Sequence, residues 1–103
     1  MSQQDEFDNR INAAWKDHYA GQHHNAIEQF KALVAEAPNH IDAHWGLGLS
    51  LRKAGEFDAA RQEFDQVQAL VDAALAEDPA EYERFFMLNR MVKQQIEFLN
   101  QFK

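Results

Sequence analysis

The chain has 103 residues, no cysteine and a formal net charge of −7. It is long enough for one small domain over 1–103, whose core covers only about two-thirds of the surface exposed on unfolding. Without thiols there is no disulfide, no thiolate nucleophile and no thiolate metal site, so a cytoplasmic location is expected, and the acidic balance repels nucleic acid.

No apolar run approaches the ~20 residues that cross a bilayer, so no membrane partner is expected. The first ten residues, MSQQDEFDNR, are acidic and polar and do not resemble a secretory leader. Apolar residues recur at helical spacing throughout and predict an all-α domain. Ser2 and Asp5 form a capping pattern that opens a first helix carrying Phe7, Ile11, Ala14, Trp15 and Tyr19. Gly21 ends it. A second helix is predicted over 24–37, with Ala26, Ile27, Phe30, Leu33 and Val34 inward and Pro38 closing it.

The pattern Asn39-His40-Ile41-Asp42 starts a third helix, which stops near Ala54. Gly55 supplies a left-handed turn residue. Gly48 and Ala60 are small enough for the third and fourth helices to approach closely. The fourth helix is predicted over 57–77, because Phe57, Ala60, Phe64, Val67, Val71 and Ala74 keep heptad spacing. Asp78-Pro79-Ala80-Glu81 then reads as N-cap, first helical residue and capping-box partner of a last helix over 79–101.

A shift of 34 residues takes Gly21 to Gly55, Ala26 to Ala60 and Phe30 to Phe64. With Leu47–Gly48 and the closing Pro38, this resembles the tetratricopeptide repeat, a helical-hairpin module of about 34 residues. The resemblance covers 8–79. It implies a right-handed helical-hairpin stack of about five helices: repeat one over 7–40, repeat two over 41–81 and a long C-terminal capping helix. Two departures stand out. Asp17 occupies an aromatic position and Ala13–Ala14 replace the Leu–Gly pair, so the first helix is expected to tilt or shift in register. The closing proline is also due at 72 and arrives at Pro79, seven residues late. Seven residues make about two helical turns, so the fourth helix lengthens without rotating its apolar face.

The resemblance implies a non-catalytic scaffold or adaptor that binds a partner protein or peptide on its concave surface. It places Ile11, Trp15, His18 and Tyr19 there in repeat one, and Trp45, Leu49, Arg52 and Lys53 in repeat two. Trp15 and Trp45 are read either as anchors with an indole N–H for the partner or as core residues. Arg52 and Lys53, the only adjacent basic pair, are available to an acidic group or simply solvated at a helix end.

The last helix has an unusually wide apolar face. Phe85, Leu88, Val92, Ile96 and Leu99 form one arc and Met87, Met91, Phe98 and Phe102 an adjoining one. The second arc needs a cover. A homodimer through the last two helices provides one, because methionine and phenylalanine suit adaptable interfaces. The chain's own preceding helices provide the other.

Chemistry has little support. His40 and His44 share a helix face and His23–His24 are adjacent, but zinc needs further ligands and no H-E-x-x-H pattern exists. Gly46-Leu47-Gly48 lies inside a helix rather than in a phosphate loop, and Ser50 has no adjacent base and acid. No metal, no cofactor and no enzymatic activity are expected.

Overall fold

The computed structural model describes residues 3–101. Its elements are α1 (Gln3–Tyr19), α2 (His23–Glu36), α3 (Ile41–Lys53), α4 (Phe57–Glu77), a 3₁₀ turn (Pro79–Glu81) and α5 (Tyr82–Asn100). The described residues contain no strand. Consecutive helices pack against each other as antiparallel neighbours, giving a stack of helical hairpins. The elongated α4 and the long α5 are both present. Ser2, expected to cap α1, lies outside the described residues.

The two repeats turn in the same way. Gly21 and Gly55 take φ values of 81° and 83°, where a side chain would be strained. The amide of Gln22 donates to Asp17 O and that of Glu56 to Leu51 O, each at 2.9 Å. These bonds satisfy carbonyls that the helix end would otherwise leave open. Both 17 to 51 and 22 to 56 preserve the 34-residue shift seen in the sequence.

The small residues act by admitting aromatic rings. Beside Gly48 the Phe64 ring lies where a Cβ would stand, its nearest atom 2.6 Å from that position. Gly46 does the same for Phe30, at 2.3 Å, a role its sequence position did not reveal. Phe30 and Phe64 are both fully buried, so neither ring can retreat into solvent. α3 is thus held from both sides, by a ring from α2 and a ring from α4. Each ring buries on the order of 200 Å² of apolar surface, the largest single contributions available to so small a core.

A polar link reinforces this junction. His44 is buried and places Nδ1 2.6 Å from Glu63 Oε2 and Nε2 2.6 Å from the Pro38 carbonyl. It therefore ties α3 to α4 and to the turn after α2, with both ring nitrogens matched to acceptors.

Two helix starts differ from expectation. The cap of α3 is His40, whose Nδ1 accepts from the Ala43 amide at 3.1 Å. Asp42 does not close a capping box and instead reaches α1. The expected helix start at Pro79 is a single 3₁₀ turn, and α5 begins at Tyr82. Asp78 accepts from the Ala80 amide, only two residues on, at 3.1 Å, which tightens this first turn. Glu81 pairs with Arg84 at 3.3 Å.

α5 packs on α4 through Phe85, Val92 and Leu99, at heptad spacing and all buried. Gln68 of α4 donates to Asn89 Oδ1 at 2.7 Å within the same seam.

Candidate functional site

α1, α3 and α5 are the first members of successive hairpins and run side by side. α1 and α3 touch. Trp15 Nε1 donates to Asp42 Oδ2 at 2.9 Å, and Ser50 Oγ lies 3.1 Å from His18 Nδ1. α3 and α5 stay apart, with no Cα pair within 8 Å. Between their N-terminal halves lies a groove of about 420 Å³. Ile41, Asp42 and Trp45 line it from α3, Arg84, Phe85 and Leu88 from α5, and Asn39 and His40 from the turn before α3. At the other end Arg52 crosses the gap. It donates to Gln95 Oε1 at 3.0 Å and its guanidinium lies 4.0 Å from the centre of the Phe98 ring.

The expected concave-surface residues separate under this geometry. Ile11 is a core residue, only 7% exposed. Trp15 is half-buried, edge-on to Phe30 at 5.2 Å and stacked on the exposed Tyr19 at 5.7 Å. Its indole N–H is already committed to Asp42. His18 is half-buried at the end of α1. Trp45 is half-buried, packs against Phe64 at 5.4 Å and lines the groove. Leu49 is half-buried against the core, and Lys53 is exposed. Arg52 engages α5 instead of standing free for an acidic ligand.

On α5, Met87 and Met91 are exposed, whereas Phe98 is half-buried beneath Arg52. Phe102 lies outside the described residues. Sequence reasoning missed the groove's remaining walls. Phe85 and Leu88 were legible only as packing residues, and Asp42 only as a capping residue. Their shared cavity depends on how far α5 stands from α3, which no local pattern encodes.

A second cavity of about 440 Å³ lies at the other end of the stack, among Phe7, Arg10, Glu36 and His40. Arg10 is committed there to a two-pronged contact with Glu36 from α1 to α2, with Glu6 as a second carboxylate of the lining. That hydrogen bond holds the Glu36 carboxyl below its usual range and raises Arg10. With Phe7 as its main apolar wall, this cavity offers a partner less than the α3–α5 groove.

His18 is pushed below the ordinary histidine range, first by burial and then by the nearby charges of His23 and Lys53. Among the described residues, no group of three His, Asp or Glu side chains is placed to hold a metal ion. No helix of the described residues is long and apolar enough to cross a membrane.

No curated protein and no solved structure matches the chain. Residues 18–82 match the family model described as Tetratricopeptide repeat. That span includes both glycine turns, both buried rings and all of α3 and α4. Members of this family generally mediate protein–protein interaction and are typically non-catalytic. The hairpin stack, the 34-residue echo and this match agree: the chain belongs to the tetratricopeptide repeat family.

Proposed function

We propose that this protein is a scaffold or adaptor that binds a segment of a partner protein in the α3–α5 groove. The observation that carries the reading is the groove itself, where Ile41, Trp45, Phe85 and Leu88 present apolar surface between two helices whose backbones stay more than 8 Å apart. Trp45 is the anchor. One side of its ring rests on Phe64, and the groove lies beside it. A large, rigid side chain in a partly desolvated pocket is where binding energy concentrates. The groove spans 84 to 88 on α5, a little over one helical turn, enough for one or two apolar side chains of a short segment.

A photo-crosslinking residue at position 88 should capture the partner in cells. Once the partner is identified, Trp45→Ala should weaken its binding by about tenfold or more while the variant keeps its helical signal. Unchanged affinity would reject the assignment. So would unfolding of Trp45→Ala accompanied by full binding in Trp45→Phe and Leu88→Ala.

A homodimer through the last two helices is the weaker reading. Exposed Met87 and Met91 favour it. Against it, Phe98 is already engaged by Arg52, and two chains of net charge −7 repel. Sedimentation over a wide concentration range decides it, a persistent monomer ending the idea.

A further inference from the structure

The α3–α5 groove is apolar at its centre, but the charges of its two walls are not evenly matched. Asp42 lines the α3 wall and Arg84 the α5 wall. Arg84 is already paired with Glu81 at 3.3 Å, and its guanidinium lies 5.0 Å from the centre of the Phe85 ring. Asp42 has no cation within salt-bridge distance among the described residues. Its hydrogen bond there is to the neutral Trp15 indole, through Oδ2 at 2.9 Å. That bond holds the carboxylate in place without cancelling its charge, and it leaves Oδ1 for a ligand.

The other polar groups of the lining do not change this sign. Asn39 is neutral, and the His40 ring is occupied as the cap of α3, accepting from the Ala43 amide at Nδ1. With Arg84 offset by Glu81, the Asp42 charge is the one left unanswered at the groove. The molecule as a whole leans the same way, with 17 Asp and Glu against 10 Lys and Arg.

We propose that the groove selects a segment that is both apolar and basic. One or two apolar side chains fill the space between Trp45 and Leu88, and a flanking lysine or arginine pairs with Asp42. The inference rests on the groove reading above and adds to it the charge of the occupant. It also sets an orientation. The cation belongs on the α3 wall, because Arg84 already occupies the α5 wall.

The alternatives fit less well. An acidic segment would bring a second carboxylate to Asp42 and Glu81. A second copy of the chain carries the same net charge of −7 and is repelled. A basic segment is drawn in by the whole molecule and then held in register by Asp42, since complementary charge acts mainly on encounter and specificity.

The test uses three synthetic peptides that share one leucine–phenylalanine pair and differ in their flanks, which are lysine, serine or glutamate. Each is titrated into the full chain and followed by amide chemical shifts. The lysine peptide should bind about fivefold or more tighter than the glutamate peptide, with shifts centred on 41–45 and 84–88, and added salt should narrow the difference. Asp42→Asn removes the charge but keeps an oxygen for the Trp15 indole. It should weaken the lysine peptide about three- to fivefold and leave the serine peptide unchanged. Arg84→Gln, which does not touch the Trp15 bond, should strengthen the lysine peptide.

Equal binding of all three peptides in the groove would overturn this inference and leave the groove reading standing. Indifference of the lysine peptide to Asp42→Asn would do the same. Shifts spread over the whole acidic surface would reduce the attraction to a non-specific one and reject the proposal. If Asp42→Asn does not fold, Arg84→Gln decides, and unchanged or weaker lysine-peptide binding there rejects it. Absence of groove shifts with every peptide would remove the groove reading itself. Self-association that excludes the lysine peptide would assign the groove to a second copy and reject the proposal.

Discussion

The contact between α1 and α3 and the contact between α3 and α5 join helices of equivalent position, yet they are built differently. α1 and α3 approach to touching distance and bond through Trp15–Asp42 and His18–Ser50. α3 and α5 keep their backbones apart, and the long side chain of Arg52 reaches across the gap between them. The cause is side-chain size. Ala14 on α1 and Ala43, Gly46 and Ser50 on α3 are small and buried. On α5, the residues turned toward α3 include Leu88, Gln95 and Phe98, which hold it off. Close packing gives rigidity to the first contact, and bulk leaves a usable groove at the second.

This contrast is most severely broken by removing the rings that fix α3. Phe64→Ala empties the notch at Gly48 and should cost about 3–5 kcal/mol, read from urea unfolding. Gly48→Ala approaches the same junction from the other side. Its new methyl meets the Phe64 ring at 2.6 Å, and the resulting overpacking of about 1–3 kcal/mol should exceed the gain of up to about 1 kcal/mol in helix propensity. A stabilised Gly48→Ala would show that the ring has room to move. Arg52→Ala should act on the other contact alone. It should cost about 0.5–1 kcal/mol in global stability while raising amide exchange in α5 more than in α3.

The smallest effect expected is on pH. The His18 pKa is depressed in the folded chain relative to about 6.5 when unfolded, so the unfolded chain binds more protons between the two values. The contribution is fully present above pH 6.5 and is lost as pH falls through that window. His18→Asn should flatten the slope of stability against pH there, as measured by thermal unfolding across mildly acidic buffers. An unchanged slope would place the titration elsewhere.

Much of the fold was legible because it is written in local signals. Gly21 and Gly55 mark turns that need positive φ, and the 34-residue shift of Ala26 and Phe30 onto Ala60 and Phe64 marks the duplication. The heptad from Phe57 to Ala74 disclosed the extra two turns of α4. Capping was less legible, because several polar residues compete at a helix start. His40 rather than Asn39 won at α3, leaving Asp42 to bind the Trp15 indole. The site was the least legible. Trp15 and Trp45 look alike in sequence, but Asp42 takes the N–H of the first, while the displacement of α5 leaves the second beside a groove. Arg52 reads as a free cation until a helix 43 residues later arrives beneath it, as its bond to Gln95 shows.

Native-state hydrogen exchange tests the contrast between the two contacts most directly. The α3 amides around Gly46 and Gly48 should exchange only through global unfolding, while those of α5 should open at a clearly lower free energy. Equal opening free energies for α3 and α5 would contradict the account, because α5 would then be as firmly held as the helix between the two rings.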